Sequence, residues 1–73
     1  MKESDARIIL ALADNDMCLS RVGRTTYMHR NSIKYRMKKV EQETGLNALK
    51  FYDLCKLIPI AKEVLGESEK ENG

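Results

Sequence analysis

The stretch SRVGRTTYMHRNSIKYRMKKVEQETG, residues 20–45, decides the fold of this chain. From Arg21 to Lys39 it carries seven Lys or Arg and no Asp or Glu. The flanks are mildly acidic, with two basic against four acidic residues before Arg21 and four against seven from Val40 onward. A basic segment between acidic flanks indicates a surface that meets a polyanion.

Length and composition exclude several classes of protein. The chain has 73 residues, enough for one domain, predicted over residues 1–66, but too few for a large enzyme pocket. Cys18 and Cys55 lack the spacing of a metal site, and no catalytic triad or phosphate-binding glycine loop is visible. No signal peptide and no membrane-spanning segment are recognised. We expect a cytoplasmic protein with reduced cysteines, no cofactor, no small-molecule site and no enzymatic activity.

Apolar spacing predicts an all-α fold of four helices, at about residues 5–15, 20–26, 30–44 and 50–65. Ser4 is the expected N-cap of the first helix, and Gly45 the end of the third. Pro59 should kink the fourth helix or break it, which would give five helices. The polar segment 67–73 is predicted to be a disordered tail.

One hydrophobic core should hold the four helices together, because so short a chain offers their apolar faces no other surface. Gly23 costs about 1 kcal/mol of helix propensity relative to Ala, so we expect another element to approach it closely. The predicted core residues are Ile8, Ile9, Leu12, Val22, Met28, Ile33, Met37, Val40, Leu46, Phe51 and Leu54.

The second and third helices match the helix-turn-helix pattern, in which two helices are joined by a turn of three or four residues. In that arrangement the second helix of the pair enters the major groove of DNA with its N-terminal residues against the base edges. We therefore expect bases to be contacted from the segment that begins at His29 and ends at Lys34.

The run MHRNSIKYRMKKVEQETGL, residues 28–46, also resembles a known family. Its segments HRNSI, YRM, KKVE and TGL occur in the order found in the C-terminal DNA-binding domain of PucR-type bacterial regulators, and more loosely in Fis-type helix-turn-helix domains. KFYDLCKL, residues 50–57, fits the family's next helix. The resemblance implies a sequence-specific transcriptional regulator that acts as a dimer.

Individual residues can be given expected roles at a DNA duplex. Arg30 suits guanine and Asn31 suits adenine through bidentate hydrogen bonds, although Asn31 could instead cap the helix. His29 is a base contact, a phosphate contact or the helix cap. The predicted base-contacting residues are His29, Arg30, Asn31 and Lys34. The predicted phosphate contacts are Ser20, Arg21, Ser32, Tyr35, Arg36 and Lys38, with Tyr35 alternatively packed against the second helix.

Two functions remain open at this point. The favoured one is binding to double-stranded DNA as a homodimer whose contact is made by the first or the fourth helix. The alternative is a small helical interaction module whose basic face binds an acidic protein. DNA binding would weaken with salt and would show a preference among duplexes, whereas protein docking would show no such preference.

Overall fold

The computed structural model describes the backbone of residues 1–70 and the side chains of residues 1–66. Within these residues the chain forms four α-helices and no β-strand. The helices are α1 (Glu3–Asp14), α2 (Leu19–Thr26), α3 (Arg30–Thr44) and α4 (Phe51–Lys70). The predicted all-α, four-helix fold is therefore confirmed.

The helix that the sequence marks at both ends, α3, begins and ends where predicted. The Nδ1 atom of His29 accepts a hydrogen bond from the backbone amide of Asn31 at 3.1 Å, which caps the N-terminus. Gly45 follows the last turn with φ of 77°, in the left-handed region that ends many helices. The expected cap at Ser4 is wrong, because α1 begins at Glu3, two residues earlier than predicted, with Lys2 at the N-cap position.

The fourth helix is continuous and longer than predicted. It passes through Pro59 without interruption, so the five-helix alternative is wrong. Pro59 leaves the Cys55 carbonyl without its helical donor, and both residues lie on the exposed side, where water can replace that hydrogen bond. The described part of the helix extends to Lys70 and includes the start of the segment 67–73 predicted to be disordered. The remainder of that segment, residues 71–73, lies outside the described residues.

The first helix occupies the middle of the molecule. It packs against α4 on one side and against α2 and α3 on the other, while α2 also contacts α3. Among the described residues, α4 contacts neither α2 nor α3. The helix-turn-helix pair is thus held on one side of α1, and α4 covers the other side.

The hydrophobic core forms where these helices meet, and most of its predicted members are buried. Met28 and Leu46 are only partly buried. Phe51 was predicted wrongly, because 63% of its surface is exposed at the start of α4. Ala6, Ala11, Ala48, Leu57 and Ala61 complete the core. The confirmed core residues are Ile8, Ile9, Leu12, Val22, Ile33, Met37, Val40 and Leu54.

Candidate nucleic-acid interface

The turn between α2 and α3 consists of Tyr27, Met28 and His29. It folds back on α2, where the Met28 backbone amide donates a hydrogen bond to the Gly23 carbonyl at 2.9 Å. A Cβ atom added to Gly23 would lie 2.6 Å from the Met28 carbonyl oxygen. The expected close approach to Gly23 is therefore present, and a backbone carbonyl of the turn makes it.

The exposed face of α3 carries a row of positive charge. Arg30, Lys34 and Lys38 are spaced four residues apart, so they stack along one side of the helix, and all three are exposed. Asn31 lies beside this row and is also exposed. The first acidic residue of α3 is Glu41, about 16 Å along the axis from Arg30. The N-terminal half of α3 therefore presents a basic surface to solvent.

Two of the alternatives at the start of α3 can now be separated. His29 is the helix cap, as described above. The Asn31 side chain makes no hydrogen bond within the described residues, so its role as a cap is not supported. Its amide group is free to donate one hydrogen bond and accept another, which is the pattern that pairs with adenine. The His29 Nε2 atom points away from the capping bond and can still meet a partner.

The flank of α3 that faces α1 has its own interactions. The Arg36 Nε atom lies 3.5 Å from Asp5 Oδ1, an ion pair without a proper hydrogen bond, since this buried oxygen has no hydrogen-bond partner. Tyr35 is 61% exposed, so it does not pack against α2. Its ring lies under the Lys39 ammonium group, 5.0 Å from the ring centroid. Ser32, on the same side, is exposed.

The start of α2 supplies a second, smaller group of polar atoms. Ser20 and Arg21 occupy its first turn and are exposed, as phosphate contacts require. Cys18 is the N-cap residue, and its side chain accepts no capping hydrogen bond. The Arg21 backbone amide nevertheless favours the thiolate and lowers the pKa of Cys18 below its ordinary value. Desolvation opposes this shift, while the Ser20 amide and the Arg21 and Arg24 charges reinforce it.

One residue beside the N-terminus of α3, Tyr27, has a position that the sequence pattern does not mark as functional. Tyr27 is 95% exposed and has φ of 57°, a left-handed conformation that favours glycine. Its ring adds little to the packing of the fold, and its position next to the His29 cap puts it at the edge of the basic surface. The sequence offers one signal for Tyr27. It follows the eight-residue helix α2, and a left-handed residue is common at that position.

Among the described residues, no group of three or more His, Cys, Asp or Glu could hold a metal ion. In the same part of the chain, every helix is too short or too polar to cross a bilayer.

Comparison with known proteins identifies the fold family. The family model of the PucR C-terminal helix-turn-helix domain matches residues 6–58, which is most of the chain. No curated protein and no solved structure matches the chain significantly. The matched residues take in most of α1, all of α2, the turn and α3, and the first part of α4. The chain belongs to the PucR C-terminal helix-turn-helix family.

Proposed function

We propose that this domain binds double-stranded DNA sequence-specifically and serves transcriptional regulation, with α3 in the major groove. The observation that carries the proposal is the acid-free, exposed row of Arg30, Lys34 and Lys38 beside the free amide of Asn31. Because Glu41 follows on the same side of α3, the helix enters the groove with its N-terminal end and keeps its acidic end away from the phosphates. Family membership supports this proposal.

Base contacts come from the first turns of α3. Arg30 and Asn31 hold their donors and acceptors at the N-terminal tip, where a helix in the groove comes nearest to base edges. Lys34 lies one turn further along the same side as Arg30 and is exposed. The Nε2 atom of His29 completes the set, while its Nδ1 atom stays with the helix cap.

Phosphate contacts surround this tip and fix the orientation of α3. Ser20 and Arg21 approach one strand from the first turn of α2, where the positive end of the helix dipole also favours a phosphate. Lys38 follows the base contacts along α3, while Ser32 and Tyr35 lie on the side toward α1. Arg36 belongs to the same set, since its side chain is still 33% exposed beside Asp5.

A single helix-turn-helix contacts too few base pairs for useful specificity, so the domain acts as a homodimer on two half-sites about 34 Å apart. Such a regulator works in the cytoplasm, where the DNA is, and it needs neither catalysis nor a cofactor.

The test begins with selection of bound duplexes from random DNA, which supplies a preferred site. Arg30→Ala should then weaken binding to that site by about 1 to 3 kcal/mol and relax the preference at one base pair. Lys38→Ala should weaken binding to all duplexes alike and reduce the salt slope by about 0.9. Lys56→Ala, which removes an exposed charge on α4, should change neither the affinity nor the salt slope.

Two results would contradict the proposal. Selection that enriches no duplex would remove sequence specificity, and the alternative of docking to an acidic protein would then gain support. Arg30→Ala could also lower the affinity for matched and scrambled duplexes equally while its circular dichroism spectrum stays unchanged. Arg30 would then have only an electrostatic role.

A further inference from the structure

The outer flank of α4 exposes an aromatic pair that the fold does not use. Phe51 and Tyr52 are 63% and 79% exposed. Their rings meet edge to face, with centroids 5.6 Å apart and planes at 67°, so the two side chains form one raised feature. Beside this pair lies a hollow of about 360 Å³. The hollow is lined by Phe51 and Asp16 together with Ala13, Met17, Leu54, Cys55 and Ile58.

Packing inside the domain accounts for only one side of α4. Leu54, Leu57 and Ala61 are buried against the core. Phe51, Cys55 and Pro59 are spaced four residues apart and form a second stripe, which is exposed. A helix with apolar residues outside its core-facing side normally packs against a second partner.

The exposed aromatic surface is large for so small a domain. A Phe or Tyr side chain offers about 150 to 250 Å², so the exposed fractions of Phe51 and Tyr52 leave about 300 Å² of ring surface in water. Patches of about 300 to 600 Å² are the largest on typical monomers and often mark interaction sites. Stable partners bury about 800 Å² each, so this patch and its hollow suit a weak interface that DNA would reinforce.

We propose that this flank of α4 is the contact between two copies of the chain, with the α4 helices antiparallel across a two-fold axis near Cys55. A two-fold interface uses the same patch on both copies, so the patch must be complementary to itself. This patch meets that requirement, because it contains both a raised aromatic pair and an apolar hollow. Each pair enters the partner's hollow. The proposal rests on the proposed function, since it supplies the dimer that two half-sites need.

Charge placement favours the antiparallel arrangement. Asp16 lines the hollow near the start of α4. Lys62 is exposed, and it lies three turns beyond Phe51 on nearly the same side of the helix. Antiparallel α4 helices bring the Lys62 of each copy toward the hollow that contains the Asp16 of the other. A parallel arrangement would instead put like charges together.

The position of α4 also leaves the DNA surface free. Since α4 contacts α1 and neither α2 nor α3, its outer flank lies on the far side of α1 from the helix-turn-helix. The path from α3 through α1 and α4 to the partner's α3 crosses five helix contacts of about 8 to 10 Å, at most about 40 to 50 Å. Half-sites about 34 Å apart fall within that limit.

Sedimentation of the free protein from about 10 µM to about 1 mM tests the interface without DNA. The wild type should shift from monomer to dimer, while Phe51→Glu and Tyr52→Glu should stay monomeric. Ile60→Glu is the matched control, because Ile60 is 38% exposed on the same helix but half a circumference away from Phe51. In Cys18→Ser protein, copper phenanthroline should oxidise Cys55 to a covalent dimer, and Phe51→Glu should suppress this crosslink.

A wild type that stays monomeric throughout, or an Ile60→Glu variant that dissociates as fully as Phe51→Glu, would overturn the interface. Its failure is distinguishable from failure of DNA binding. If only the interface is wrong, Phe51→Glu will bind one half-site and two half-sites as the wild type does. If only the DNA function is wrong, the wild type will dimerise and Phe51→Glu will not, although no duplex is preferred.

Discussion

Replacement of Gly23 by Ala tests how the turn is held against α2. Ala gains about 1 kcal/mol of helix propensity over Gly. The added Cβ atom, however, would lie 2.6 Å from the Met28 carbonyl oxygen, which as a backbone atom cannot rotate away. Forced contacts of this kind cost about 1 to 3 kcal/mol. We therefore expect Gly23→Ala to be destabilising by up to about 2 kcal/mol, despite the gain in propensity.

Gly66→Ala is the matched control, because Gly66 is also helical and an added Cβ atom there would meet nothing within 4 Å. It should stabilise the domain by up to about 1 kcal/mol. Urea unfolding followed by circular dichroism measures both variants, and the difference between them isolates the cost of the contact. In a domain of this size 1 kcal/mol corresponds to about 4 to 8 °C in Tm. If Gly23→Ala stabilised the domain as much as Gly66→Ala, the close approach of the turn would be wrong.

Three further substitutions test local features. Tyr27→Gly should raise the free energy of unfolding by about 1 kcal/mol, since Tyr27 is left-handed and 95% exposed; a loss of stability would show that its ring has packing partners. His29→Ala should lower that free energy by about 1 kcal/mol, because the Asn31 amide loses its acceptor, and His29→Asn should restore most of it. In Cys55→Ser protein at pH 7, iodoacetamide should modify Cys18 faster in the folded state than in urea. The reason is that the fold lowers the pKa of Cys18 and the thiolate is the reactive form. An equal rate in both states would contradict this.

The parts of the fold that follow from local sequence were predictable. The bounds of α3 were predicted correctly because its cap and its terminal glycine both act through neighbouring backbone atoms. The start of α1 was missed because Ser4 is a good cap only where the chain before it leaves the helix, and here the helix continues to Glu3. The length of α4 was underestimated because a polar segment after Gly66 gives no pattern that distinguishes helix from coil.

Core membership depends on which helix approaches which face, so it was predictable only in part. Ala6 and Ala61 are fully buried, yet alanine occurs on every face of a helix and adds little to an apolar stripe. Phe51 has the most apolar type of side chain and is exposed, because α1 packs on a different side of α4. The left-handed Tyr27 and the pair between Arg36 and Asp5 likewise depend on tertiary placement.

That pair changes what the basic residues of α3 can be expected to do. Lys38 is exposed, whereas Arg36 lies 3.5 Å from a carboxylate whose side chain is only 13% exposed. The Asp5 charge already offsets that of Arg36, so binding of a phosphate there releases less than one counterion. Arg36→Ala should therefore reduce the salt slope by clearly less than the 0.9 or so expected for Lys38→Ala. It should also lower the free energy of unfolding by on the order of 1 kcal/mol, because Asp5 loses its partner, and Lys38→Ala should not. Titration of one duplex at several salt concentrations, together with urea unfolding, measures both effects. Equal slopes for the two variants with equal stability would show that Arg36 binds phosphate as freely as Lys38 and that its contact with Asp5 is incidental.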